Sequence, residues 1–389
     1  MTMRLADNLE RLGTETAFDV LARAQRLKDA GQDIINLGIG QPDFPTPPNI
    51  VEAAAKALRD GHHGYTPANG ILPLREAVAA DMAKRRGVTI DPERIVVVPG
   101  GKVTMYFAIT MFGQPGVEIM YPDPGFPIYR SVIEFTGAKA IPIPLYEDSG
   151  FSFSADEVLA KITERTRLII VNSPANPTGG VVPKAELDKL VAGLAQHPQV
   201  VVMSDEIYAR MVYDGVPHAS LTAYPEIEDR LILLDGWSKT YAMTGWRLGW
   251  AVWPKELAPI ATRLAINIHS CVNAATQFAG IEALTGPQTA VDEMVAAFDR
   301  RRGVIVERLN QLPGFRCQRP GGAFYAFPNI EGTGVSAGDL QERLLTETGV
   351  AIIAGTSFGA QGEGYLRFSY ANSVENIERA IDRIGDFLS

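Results

Sequence analysis

Lys239 and Arg247 stand in the stretch Ser238-Lys239-Thr240-Tyr241-Ala242-Met243-Thr244-Gly245-Trp246-Arg247, directly after the apolar run Leu231–Leu234. A lysine against a buried run is costly to keep charged, because desolvation disfavours the ammonium and lowers its pKa. A neutral amine beside an arginine suits a Schiff base with the aldehyde of a phosphorylated cofactor. An isolated lysine of this kind is ordinarily a solvated loop residue, so the other polar outliers must decide between the two readings.

Those outliers follow apolar runs. After Val96-Val97-Val98 comes Pro99-Gly100-Gly101-Lys102, opening a helix-like stretch. Glycines there free backbone N–H groups, and the helix dipole favours an anion such as phosphate. The spacing is not that of a Walker A loop, and Gly38-Ile39-Gly40 lacks the third glycine of a dinucleotide fingerprint. Leu168–Val171 is followed by Asn172-Ser173-Pro174-Ala175-Asn176-Pro177-Thr178-Gly179-Gly180, either an ordinary turn or a functional loop. Val200–Met203 is followed by Ser204-Asp205-Glu206-Ile207-Tyr208. An acid closing an apolar strand is expensive unless it meets a cation, although Asp205 could also cap the next helix. Arg367, in Tyr365-Leu366-Arg367-Phe368-Ser369-Tyr370, offers a fork that fits a carboxylate, or is a plain strand arginine.

The elements that must position these residues alternate. Short, β-branched runs at Arg94–Val98, Val117–Tyr121, Lys139–Ile143, Leu168–Val171, Val200–Met203, Leu231–Leu234 and Leu248–Trp253 are nearly continuous in hydrophobicity, as strands covered on both faces are. Amphipathic stretches between them, such as Phe126–Phe135, Ala155–Ile162 and Lys184–Gln196, complete a βαβ rhythm. This predicts an α/β fold with a mostly parallel, seven-stranded sheet in an α/β/α layer arrangement. Such sheets bind ligands beyond the carboxyl ends of their strands, where the outliers fall. Residues 46–286 are expected to form this large domain. Residues 1–45, with a helix over Ala17–Ala30, and 287–389, with a helix over Val291–Leu309, are expected to pair into a smaller α+β domain.

Composition narrows the classes. The chain has 389 residues, 46% of them hydrophobic and 21% charged, as in water-soluble globular proteins. A net charge of −9 without a basic stripe argues against a nucleic-acid surface. No apolar run approaches the length of a membrane span, and Met1–Glu10 has no secretory apolar core. The two cysteines, Cys271 and Cys317, are far apart and outside metal-ligand spacing, so no disulfide framework or metal site is expected and a cytoplasmic location fits.

Gln41-Pro42-Asp43-Phe44, Tyr65-Thr66-Pro67, Asn172–Gly179, Ser204–Tyr208 and Ser238–Gly249, in this order and spacing, resemble the class I/II aminotransferases. These are pyridoxal-phosphate enzymes of fold type I, typified by bacterial aspartate and aromatic aminotransferases, and the likeness runs from about residue 34 to 380. The resemblance implies that Lys239 forms the Schiff base with the cofactor and later moves the substrate proton. It implies that Asp205 keeps the pyridine nitrogen protonated, and that Tyr208 and Asn176 donate to the phenolic oxygen. Arg247, Ser238 and the Gly100-Gly101-Lys102 backbone would hold the phosphate, and Phe126 would stack on the ring, where tryptophan is common in the family. Arg367 would grip the substrate α-carboxylate, with Gly40 allowing close backbone approach. Tyr65 resembles the tyrosine lent to the neighbouring subunit's phosphate, which implies a homodimer.

The resemblance also has departures. Gly236 stands where the family often has a phosphate-binding serine, and Trp237 has no assigned role. His62-His63 reads as a solvated loop, Arg300-Arg301-Arg302 as a solvated helix face, and Phe324 and Tyr325 as pocket lining or core. His269 lies where the family brings residues near the partner's cofactor. The implied activity is ping-pong transfer of an amino group from an L-amino acid to a 2-oxo acid. The alternative on the same cofactor is a β-lyase or decarboxylase. Leu264–Asn273, where one branch carries an arginine for a second carboxylate, has none, and Arg263 is out of step. That weakens an aspartate assignment and leaves neutral or aromatic amino donors open, with 2-oxoglutarate or pyruvate as acceptor.

Overall fold

The computed structural model describes residues 3–389; Met1 and Thr2, which the expected small-domain boundary includes, lie outside the described residues. All seven apolar runs form strands of one sheet. They are β2 (Ile95–Val98), β3 (Glu118–Asp123), β4 (Lys139–Pro144), β5 (Thr166–Asn172), β6 (Val201–Asp205), β7 (Leu231–Gly236) and β8 (Gly249–Val252), following a short β1 (Ile35–Asn36). Their order is β2-β8-β7-β6-β5-β3-β4. β3 to β7 run parallel, and β8 is antiparallel to both of its neighbours, β2 and β7.

Apart from the edge strand β4, where Lys139 and Pro142 are exposed, the runs lack polar alternation because both faces are covered. Ile95, Val97, Leu233, Trp250 and Val252 pack with Leu74, Val78 and Trp237 on one side. Val96, Val98, Ile232, Leu234 and Ala251 pack with Phe107, Tyr129 and Trp253 on the other. Full burial of such side chains contributes about 1.5–3 kcal/mol each. Trp237, without a role in the sequence reading, is a core residue whose indole N–H donates to Gly280 O at 3.1 Å. Gly236 faces Gly249 of β8 so closely that a Cβ would stand 2.9 Å from its Cα, which explains the missing serine at that position.

β9 (Tyr325–Ala326), β11 (Ile353–Ala354) and β12 (Leu366–Ser369) form a three-stranded antiparallel sheet, and β10 (Val350–Ala351) pairs in parallel with β1. The last pairing joins the two ends of the chain. Helices Thr289–Leu309 and Val374–Leu388 cover this part, with Phe298, Ile305, Ile377 and Ile381 in its core. No helix of the described residues is long and apolar enough to cross a membrane.

The Arg300–Arg302 run is not the solvated face expected. Arg302 is fully buried, with Asp214 accepting from both Nη atoms at 2.7 and 2.8 Å and Asp299 accepting from Nε at 2.9 Å. Arg301 forks onto Asp43 at 2.7 and 2.9 Å. Three successive helical positions sweep most of the helix circumference, so they cannot all face water on a helix packed along one side. Only Arg300 is exposed.

Candidate active site

Five strand ends converge on one cavity of about 430 Å³. β2 leads to Gly101 and Lys102, β3 to Phe126, β5 to Asn172 and Asn176, β6 to Asp205 and Tyr208, and β7 to Ser238 and Lys239. Arg247 enters from the loop before β8, Arg367 from β12, Tyr325 from β9 and Gly40 from the loop after β1. The cavity thus lies between the large sheet and the smaller ones.

Lys239 is half-buried, its remaining exposure being to this cavity, and its ammonium donates to Gly40 O. Burial first, and then the positive charge of Arg367, lower the amine to about 8. Asp205 has 2% exposure, and burial pushes its carboxyl up to about 6 against the hydrogen bonds that favour its charged form. Those bonds come from Tyr129 Oη, donating to Oδ2 at 2.6 Å, and from the Ile207 N–H, donating to Oδ1 at 3.2 Å. A buried carboxylate without a cation is costly, so this end of the cavity favours a positively charged group. The neighbouring Glu206 turns away, pairing with Arg86 and, at 2.9 Å, with His218. Arg86 also pairs with Asp235 at 2.6 Å.

Arg367 has 3% exposure and donates to Asn176 Oδ1 at 2.9 Å and to Gly38 O. Its Nε is buried without a hydrogen-bond partner among the described residues. Asn172 braces this corner: its Oδ1 accepts the Asn176 N–H and its Nδ2 donates to Asp205 O, both at 3.0 Å. Tyr208 and Tyr325 share a hydrogen bond between hydroxyls at 2.7 Å. Opposite them, the helix Lys102–Phe112 starts at Gly101 with no side-chain cap among the described residues. Its first N–H groups point to an anion. Gly100 has a φ of +90°, and a Cβ there would collide with the Arg247 guanidinium.

Eleven of the thirteen residues expected at the site line the cavity; Gly100 sits behind Gly101, and Tyr65 is elsewhere with 93% exposure. His62 packs against Phe278 with the rings tilted, and His63 bonds to Leu58 O. His269 stacks on Phe107 outside the cavity, and Arg263 is exposed. Tyr325 lines the cavity, while Phe324 belongs to the core. Sequence reasoning missed Tyr129, Asn172, Glu15 and Phe18, all of which line it too. For Tyr129 a signal existed: it follows Phe126 by three residues within the amphipathic stretch Phe126–Phe135. For Glu15 there was none.

Residues 32–384 match the family described as Aminotransferase class I and II. The chain belongs to that family. This aminotransferase is 42% identical over 358 residues to an aspartate aminotransferase of Pyrococcus horikoshii, covering 91% of this chain and 90% of the relative. It is 37% identical to aromatic-amino-acid aminotransferase 2 of Thermococcus litoralis, covering 98% and 97%. The solved aspartate aminotransferase of Thermus thermophilus with maleate superposes with a TM-score of 0.94 at 33% identity, covering 99% of this chain and all of that one. The architecture is that of fold type I aminotransferases, as the resemblance implied, with the mostly parallel seven-stranded sheet that the strand pattern predicts.

Proposed function

We propose that this aminotransferase uses pyridoxal phosphate and moves the amino group of an L-amino acid to a 2-oxo acid in two half-reactions. The observation that carries the reading is the convergence of Lys239, Asp205, Arg247 and Arg367 on one cavity. The residues fit the cofactor: a buried acid suits a protonated ring nitrogen, and an amine lowered to about 8 suits an aldehyde. An uncapped helix start beside Arg247 and Ser238 suits a phosphate, where Gly100 leaves room that a Cβ would take from the arginine. Asp205 would hold the ring nitrogen, Tyr208 and Asn176 the phenolic oxygen, and Phe126 one ring face. The backbone N–H groups of Gly101 and Lys102, with Ser238 and Arg247, would hold the phosphate.

Bound there, the pyridine ring supplies an acceptor for the electron pair released at the substrate α-carbon. The chain's own residues do the rest. Arg367 binds the α-carboxylate with its fork, and the fixed Asn176 and Gly38 contacts orient that fork. Gly40 gives the backbone its approach, since a side chain there would meet the Tyr325 hydroxyl. Lys239 Nζ takes the proton from the donor's α-carbon in the first half-reaction and delivers one to the α-carbon of the incoming 2-oxo acid in the second. Asp205 stays ionised beside a cation, the state its Tyr129 and Ile207 bonds favour.

The proposal includes residues 46–286 as the cofactor-binding domain, with 3–45 and 287–389 as the smaller one. It includes a homodimer in which the exposed Tyr65 reaches the neighbouring site; exposed Ile266 and Ile268, at 57% and 52%, support an apolar contact. Two unpaired thiols, Cys271 and Cys317, support a cytosolic location.

The test is a half-reaction. Protein reconstituted with pyridoxal phosphate is mixed with an amino acid, and the cofactor spectrum and products are followed. The reading expects one 2-oxo acid per site and amino-group transfer onto an added 2-oxo acid. Release of ammonia with pyruvate, or of carbon dioxide, would contradict it.

A further inference from the structure

Two charged side chains in the cavity take no part in the chemistry above: Glu15 and the ammonium of Lys102. They pair with each other. Lys102 Nζ donates to Glu15 Oε2 at 2.7 Å and stands 5.3 Å from the ring centre of Phe126 and 5.7 Å from that of Phe18. The carboxylate is the better shielded partner, with 19% side-chain exposure against 42%.

Glu15 does not come from a strand end. The chain before it crosses the helix Ile128–Thr136, where Arg11 Nε donates to Glu134 O at 2.8 Å and the Gly13 N–H donates to Ser131 Oγ at 2.9 Å. The helix Thr16–Asp29 begins at the next residue. Glu15 is therefore anchored from both sides. The wall residues nearest the pair in sequence, Ala17, Phe18 and Met105, are apolar.

We propose that Glu15 is a specificity-determining residue: by occupying Lys102 it selects amino donors with neutral, apolar or aromatic side chains over dicarboxylic ones. This rests on the aminotransferase reading of the cavity and names its substrate class. A second carboxylate entering the cavity must either lie near the like charge of Glu15 or displace it from Lys102. Both cost free energy that a neutral side chain does not spend. Discrimination of this kind needs no clash; an ion pair already satisfied inside the pocket is enough.

The readout is the ratio of kcat/KM for aspartate to kcat/KM for phenylalanine, measured in single-turnover half-reactions of the holoenzyme. The wild-type ratio is expected below one. Glu15→Gln should raise it about tenfold, which is about 1.4 kcal/mol. Lys102→Met, which leaves Glu15 without its partner, should lower it further. A wild-type preference for aspartate, a ratio unmoved by Glu15→Gln, or a shift of both variants in one direction would overturn the role of Glu15 while leaving the aminotransferase reading intact. A holoenzyme that processes neither amino acid would overturn both.

Discussion

Tyr129 donates its hydroxyl hydrogen to Asp205 Oδ2 at 2.6 Å, and neither side chain reaches bulk water. The bond ties the helix Ile128–Thr136 to the end of β6 and fixes the acid at the cavity floor. It does not offset the burial, because the carboxyl still sits at about 6 against an ordinary 3.8. As pH rises, the unfolded chain releases this proton first, so the cofactor-free fold is penalised progressively from about pH 4 to 6 and fully above. The penalty is about 1–3 kcal/mol. Cofactor-free Asp205→Asn should melt a few degrees above the cofactor-free wild type at pH 8, with the difference fading towards pH 4. Thermal melts across that range check it, and a pH-independent difference would contradict it.

Arg367 faces Lys239 as well as the substrate. Its positive charge is the second cause of the lowered amine, after burial. Arg367→Gln should move the midpoint of cofactor attachment to the protein, followed by stopped-flow absorbance against pH, upward from about 8. The same variant should lose about 10²- to 10³-fold in kcat/KM for α-amino acids, because a buried charged contact is removed. It should lose little for an amine without a carboxylate.

Gly100 tests the phosphate corner. Its positive φ and the proximity of Arg247 make Gly100→Ala both strained and obstructed. The variant should bind pyridoxal phosphate about tenfold more weakly or worse, while its affinity for pyridoxal lacking the phosphate changes little. Equal weakening for both would mean that Gly100 serves the fold rather than the phosphate.

The strands and the polar residues at their ends were legible in the sequence because burial on both faces leaves little choice of residue. Asp205 stood out against the run Val200–Met203 for that reason, and Lys239 against Leu231–Leu234. Less legible was whatever depends on the meeting of distant segments. Arg302 looked solvated because nothing local marks Asp214 as its partner, 88 residues away. Glu15 carries no local signal, because its pairing with Lys102 spans 87 residues. Tyr129 stands three residues after Phe126 in an amphipathic stretch, but its partner Asp205 closes β6, the third strand after it in the chain. Strand ends report on local burial, whereas ion pairs between loops report only on the finished fold.

The account depends most on Lys239 as the amine that carries the cofactor. Borohydride reduction of the reconstituted protein, followed by peptide mapping, examines it directly. The expected result is one pyridoxyl group per chain, on the peptide containing Ser238-Lys239-Thr240, and none in Lys239→Ala. Label on Lys102 or another lysine, or no stable label, would contradict it.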